Sequence, residues 1–281
     1  MIDQKQQEAI SRLDGVAGKR YAALLKRKMG HTDRSNWSYD HIIIVTYGRS
    51  GSTLLQGILN TIDGVTIRGE NDNIFFDFFK AYKKLVRHSK KHSGAVLPNQ
   101  AWFGISFYDP ARLLDHFRAI ANDLLIGNSK TPVNSKMCLG FKEIRFADTG
   151  EEFEEYLDFL NQLFPKAALI FNTRSIEEVI KSGWWKDQNP NDIRPQIEEL
   201  EKKFDGYQAK HDNTFKITYQ EARINGKSLQ DLFCFLGADY DADAVDTVLS
   251  VRHSYNPSRS DIQDLYQVPK KALLKKIREA K

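Results

Sequence analysis

Apolar positions recur along this chain in two rhythms. Short, nearly continuous apolar runs read as strands at 42–46, 65–68, 137–141, 168–172 and 214–218, rich in Ile, Val, Leu and Phe and bounded by small or polar residues. Between them the apolar residues return every three to four positions, which predicts helices over 52–62, 72–87, 110–126, 151–164, 175–187 and 194–211, and another ending near Leu236-Gly237. Residues 1 to about 30 carry Ile10, Leu13, Val16, Leu24 and Leu25 on one side, the pattern of an amphipathic helix broken by Gly15, Gly18 and Gly30. Strands that alternate with helices imply an α/β fold, three layers deep, with helices on both faces of a central, mainly parallel sheet. In such sheets ligands sit at the carboxyl ends of the strands. Arg49, Glu70, Lys142 and Arg174 each fall just after a predicted strand, so the pattern brings all four to one edge of the sheet.

Length and composition set the scale. A chain of 281 residues, 41% hydrophobic and 28% charged, can bury a sizeable core. We expect one domain over 1–281, with an N-terminal helical extension (1–40), a core of about 41–260 and a basic C-terminal helix (261–281). A formal charge of +4 suits an anionic ligand and is too small to argue for nucleic acid. Cys138 sits in a predicted strand and Cys234 in an apolar helix, where packed free thiols are expected rather than a disulfide or metal site. His88 and His92 are four apart without the glutamate of a His-Glu-x-x-His site and read as a solvated basic turn. No run of about 18 apolar residues is present to span a bilayer. Leu273, Leu274 and Ile277 lie among the lysines of the last twelve residues, as in a solvated terminal helix.

The candidate chemistry starts at the first strand. It runs into Gly48-Arg49-Ser50-Gly51-Ser52-Thr53 and then an apolar helix. A small-residue turn of this kind points backbone N–H groups at an anion, and the helix N-terminus adds its positive end. Arg49 supplies fixed charge, and Ser50, Ser52 and Thr53 supply hydroxyl donors. The turn lacks the Gly-Lys-Ser/Thr of a Walker A loop, so a magnesium-bound nucleoside triphosphate is not indicated. A second strand, Ala167–Asn172, leads into Thr173-Arg174-Ser175 and a helical pattern in which Ser175 and Glu178 have capping-box spacing.

The strand–Arg-Ser-Gly-Ser-Thr–helix unit resembles the 5′-phosphosulfate loop of the sulfotransferases that use 3′-phosphoadenosine 5′-phosphosulfate (PAPS). Arg174 and Ser182, in Arg-x7-Ser spacing after a strand, resemble the 3′-phosphate site of the same family. The resemblance spans roughly residues 41–237 and implies a P-loop NTPase-like sulfotransferase fold. By it, Arg49, Ser50, Gly51, Ser52 and Thr53 hold the 5′-phosphate, while Arg174 and Ser182, the latter two turns along the helix, hold the 3′-phosphate. Gly69-Glu70 resembles the stretch of tyrosylprotein and carbohydrate sulfotransferases whose glutamate is taken as general base, and Lys142 stands where a lysine assists at the bridging oxygen. Ile217-Thr-Tyr219 resembles the strand-tyrosine-helix unit beside adenosine, and Val251–Arg259 the late loop over the 3′-phosphate. The reaction so implied moves a sulfuryl group from PAPS to an acceptor hydroxyl without a metal. A sugar, a lipid, a small alcohol or a peptide tyrosine are the candidate acceptors, and Phe75, Phe76, Phe78, Phe79, Tyr82, Trp184 and Trp185 are candidate pocket walls or core. The secretory-pathway members usually carry a membrane anchor; this chain shows none, which places the expectation in the cytoplasm. A P-loop-type kinase and a non-catalytic nucleotide-binding module remain as alternatives, and oligomeric state is not readable.

Overall fold

The five apolar runs form one sheet whose three inner strands are buried on both faces and whose two edge strands are part-exposed. β1 (His41–Val45), β2 (Val65–Arg68), β3 (Cys138–Glu143), β4 (Ala167–Thr173) and β5 (Thr214–Thr218) pair in the order β2-β3-β1-β4-β5, every pair parallel. The computed structural model describes residues 37–127 and 137–250. β1 is central, with Val45 opposite Glu143 of β3 on one side and Phe171 of β4 on the other. Its run of three isoleucines and a valine suits a strand covered above and below. The period of two then divides the core. Ile43 and Val45 join a phenylalanine-rich cluster with α2 (Ile74–Lys91), α3 (Pro110–Ile126), α4 (Phe153–Leu163) and α6 (Pro190–Gln208). Ile42 and Ile44 join a second cluster on the opposite face, with α1 (Ser52–Leu59), α8 (Lys227–Leu236) and α9 (Ala242–Leu249).

The chain winds outward from β1 to β2, returns to β3, and then crosses to β4 on the other side of β1. The crevice of such a sheet opens where the winding reverses, here at the carboxyl end of β1 between β3 and β4. Among the described residues, no helix is long and apolar enough to cross a membrane.

Several boundaries differ from the sequence pattern for identifiable reasons. β3 runs on through Lys142 and Glu143 rather than stopping at 141, because β1 continues to offer ladder partners at Ile44 and Val45 after β2 has ended opposite Phe141, and both charges find partners of their own. α2 begins at Ile74 and reaches Lys91, since Asp72 and Asn73 adopt left-handed backbone and hold the entry open. The segment expected as the start of a helix at 151 belongs to a 3-10 turn over Phe146–Glu152. α6 starts at Pro190, where proline needs no intrahelical donor and the Asn189 side chain accepts from the Asn191 N–H at 3.1 Å. Cys138 is buried as expected, whereas Cys234 lies on the exposed side of α8. His88 lies in the last turn of α2 and His92 caps its end at the start of a turn, and both stack on Trp102 rather than standing free in solvent. Phe75, Phe76 and Phe79 are core, with Phe78 and Tyr82 packed against it. The N-terminal helix expected at 1–30, the late loop Val251–Arg259 and the basic C-terminal helix lie outside the described residues.

Candidate active site

The turn after β1 is held in an unusual shape from several sides. Arg49 and Gly51 both take positive φ, 67° and 83°. Glycine adopts that region freely; an arginine there costs on the order of 1 kcal/mol and persists because its surroundings fix it. Thr46 is hydrogen-bonded to the Asn172 carbonyl at 2.6 Å and to Ser50 Oγ at 2.7 Å. The Trp185 indole N–H donates to the Gly48 carbonyl at 3.0 Å. Tyr47 donates to the Glu201 carboxylate at 2.5 Å and accepts the Arg174 backbone N–H at 2.9 Å. Burial, with the hydrogen bond to Glu201 next, pushes the Tyr47 hydroxyl far above the usual phenol range, so it stays protonated as a strut. Ser50 is buried with its hydroxyl turned to Thr46, Ser52 is also buried, and Thr53 is exposed at the start of α1. No side chain caps that helix, so its first N–H groups face outward without an intrahelical acceptor.

The junction after β4 differs from the sequence expectation and is better suited to meet this turn. The helix expected over 175–187 is α5 (Ile176–Ile180) alone. Ser182 is extended, Gly183 takes φ 59°, and a 3-10 turn over Gly183–Asp187 follows. Ser182 is therefore not two turns along a helix. The break swings it against the first loop, where Arg49 Nε donates to Ser182 Oγ at 3.1 Å. A side chain at Gly183 would fall 2.7 Å from Arg49 Nε. Ser175 makes no cap, and Glu178 instead accepts from Arg174 Nε at 2.8 Å, which holds its carboxyl below the usual range. The other end of the Arg174 guanidinium donates to the Arg49 carbonyl at 3.2 Å.

Tyr219 lies beneath both junctions. It opens a short helix, α7 (Tyr219–Ala222), capped by Thr218 and Glu221 in a reciprocal capping box. Its ring packs so closely on Gly51 that any Cβ there would come within 2.1 Å of it. The Arg174 guanidinium lies 4.4 Å from the ring centroid and that of Arg223 5.4 Å. Arg223 and Tyr47 carry no sequence signal of their own.

Glu70 and Lys142 meet one strand away, as an ion pair. Lys142 is within β3, opposite Ile44 of β1, so the expectation that it follows the strand is corrected. Its side chain is 5% exposed against 48% for Glu70, so a sequestered ammonium rests on a carboxylate that solvent can reach. β3, which carries Lys142, adjoins β1 at about 4.8 Å, and Glu70 reaches Lys142 from the end of β2, one strand further out. The neighbouring Glu143, which the sequence pattern did not single out, is fully buried. One of its oxygens accepts the Asn71 and Asn73 N–H groups at 3.1 and 3.0 Å, the other those of Ile144 and Arg145 at 2.7 and 3.1 Å. Four donors on one carboxylate pin the turn between Glu70 and α2, including its two left-handed residues Asp72 and Asn73. Beside it opens a recess of about 250 Å³ walled by Arg68, Glu70, Asn71, Phe75, Leu124 and Phe141.

Of the residues singled out from sequence, the structure links Ser182 to Arg49, Arg49 to Arg174, Arg174 to Tyr219 and Tyr219 to Gly51 in a chain of contacts, and brings Glu70 onto Lys142. Trp184 packs beside Arg49, whose guanidinium is 5.8 Å from its ring centroid. No curated protein matches the chain. The model of the sulfotransferase family matches residues 41–224, which include both strand-to-helix junctions, Glu70, Lys142 and Tyr219, and the chain belongs to that family.

Proposed function

We propose that the protein transfers the sulfuryl group of PAPS to an acceptor hydroxyl. The observation that carries this reading is the contact of the two junctions: Arg49 donates to Ser182 while Arg174 donates to the Arg49 carbonyl. A nucleotide bearing phosphates at both ends of its ribose needs two anion sites a few ångströms apart, and chain segments more than a hundred residues apart in sequence supply them here. Arg49, the hydroxyls of Ser52 and Thr53 and the uncapped start of α1 serve the 5′-phosphate; Ser50 supports the loop from within. Arg174 and Ser182 serve the 3′-phosphate, and Tyr219 offers an aromatic face to the adenosine side.

Sulfuryl transfer, like phosphoryl transfer, spreads charge over the equatorial oxygens while the attacking and leaving oxygens lie in line, so positioned cations do most of the work. In the proposed step the acceptor oxygen forms the new bond to sulfur as the bond from sulfur to the phosphate oxygen breaks. Glu70 takes the hydroxyl proton, and Lys142 with Arg49 stabilises the charge left on the phosphate. The exposed side of Glu70 suits a base that must meet an incoming substrate, and the recess beside it is where the acceptor would lie.

Thermal stabilisation tests the reading. 3′-Phosphoadenosine 5′-phosphate should raise the melting temperature more than adenosine 5′-phosphosulfate, which lacks the 3′-phosphate, or than ATP with magnesium. Equal or greater stabilisation by ATP with magnesium would turn the assignment toward a kinase.

A further inference from the structure

Most of α2, together with the segment that joins it to α3, is built differently from the rest of the surface. From Phe78 to Tyr108 the chain contains six lysines and arginines and no aspartate or glutamate. Lys80 pairs with Asp77 outside this segment, and Lys83 with Glu152 and Glu155. Lys84, Arg87, Lys90 and Lys91 have no carboxylate partner among the described residues, and all four are exposed.

The loop that follows α2 folds back onto this cationic end. Ser89 Oγ donates to the Ile105 carbonyl at 2.9 Å, the Gly104 N–H to the Ala95 carbonyl at 3.3 Å, and the Trp102 ring stacks on His92 and His88 with centroids 4.4 and 5.0 Å away. On this anchored platform the large apolar side chains point outward. Val96, Leu97, Phe107 and Tyr108 are each more than half exposed, and Trp102 and Phe103 are 44% and 46% exposed. Burial, with Arg87 next, lowers the pKa of His88, and His92, Lys91 and Lys84 act in the same direction, as expected in a locally positive field. Isolated exposed apolar residues are ordinary; six on one fixed loop, next to four unpaired cations, mark an interaction surface.

We propose that this loop and the end of α2 dock the protein on an anionic lipid surface. The two halves of the patch select that occupant together. Unpaired lysines and arginines are drawn to any polyanion, at about a few-fold in affinity for each cation near a charged bilayer. A hydrated polysaccharide or nucleic-acid backbone, however, offers little in which to bury Val96, Leu97, Phe103 and Phe107. A bilayer interface offers both, with tryptophan and tyrosine at its polar boundary and aliphatic and phenyl groups just below. The surface lies at the far end of α2 from Glu70, so it docks the protein independently of sulfuryl transfer.

Co-sedimentation of the full chain with vesicles tests this. Partition is expected into phosphatidylcholine vesicles containing phosphatidylglycerol at about 0.1 M salt, little into phosphatidylcholine alone, and less as salt rises. Phe103→Ser with Phe107→Ser, and separately Lys90→Gln with Lys91→Gln, should each weaken partition about tenfold or more, with stabilisation by 3′-phosphoadenosine 5′-phosphate unchanged. Absence of partition into anionic vesicles overturns the proposal. So does partition that the phenylalanine pair leaves intact. Heparin binding in place of vesicle binding, sensitive to the lysines but not the phenylalanines, would reassign the patch to a polysaccharide. A dimer that the phenylalanine pair converts to monomer, without vesicle binding, would reassign it to a second copy of the chain.

Discussion

The ion pair between Lys142 and Glu70 joins stability to chemistry in a way that can be measured. Lys142 is nearly enclosed on a central strand, whereas Glu70 is half-exposed. Breaking a fully buried pair costs about 3–5 kcal/mol because the remaining charge is left without a partner. Water reaching Glu70, and the acceptor oxygen that a glutamine retains, reduce this to about 1–2 kcal/mol for Glu70→Gln. For a chain of this size that is a fall of about 2–6 °C in melting temperature. Lys142→Met removes the enclosed charge and leaves a carboxylate that water can hydrate, so its cost should stay within about 1 kcal/mol. The double variant should therefore be more stable than the two single costs predict, by about 1 kcal/mol. Urea unfolding followed by circular dichroism gives all four corners of the cycle. Activity should behave oppositely: each single variant, and the double, should lose at least about a hundredfold in turnover while keeping affinity for 3′-phosphoadenosine 5′-phosphate. Additivity of the stabilities within about 0.5 kcal/mol would show that the two charges do not depend on each other. Full turnover in Glu70→Gln would remove it as the base.

Three other perturbations probe the remaining parts. Arg174→Ala should weaken 3′-phosphoadenosine 5′-phosphate by about tenfold or more in titration calorimetry and leave adenosine 5′-phosphosulfate nearly unaffected; equal loss for both would exclude the assigned role. Gly51→Ala places a methyl group in the Tyr219 ring at a φ of 83°, so it should destabilise the fold by about 1–3 kcal/mol and abolish nucleotide-dependent stabilisation, and a variant that still binds like wild type would refute the packing described for the loop. Glu143→Gln turns an amide NH2 toward backbone N–H donors that need an acceptor; a loss of about 2–4 kcal/mol in urea unfolding is expected, and an unchanged midpoint would mean the carboxylate does not pin the turn.

Much of this site could be read from the chain before it folds. A strand followed by Arg49-Ser-Gly-Ser-Thr53 and an apolar helix carries its meaning in local backbone geometry, and the structure bears out the turn, with Gly51 left-handed and α1 starting at Ser52. Arg174 was legible for the same reason, as a charge at the end of an apolar strand. Ser182 was singled out by spacing but placed in the wrong secondary structure. Its position is decided by a contact with Arg49, from a part of the chain no local pattern can see. Glu143 was hidden because a lone glutamate next to a lysine looks solvated; only the backbone donors of Asn71 and Asn73, brought in from the neighbouring strand, show why a carboxylate is buried there.

The alternation of apolar runs with helical periodicity determined the α/β class, the parallel sheet and the edge on which the charged residues gather, because each follows from burying backbone and side chains over short stretches. Tertiary structure alone decided the strand order that puts β1 between β3 and β4, the breaking of the helix after Ile180, and the enclosure of Lys142 opposite an accessible Glu70. These depend on which distant segments satisfy one another's hydrogen bonds and charges, and that is settled only when the sheet closes around them.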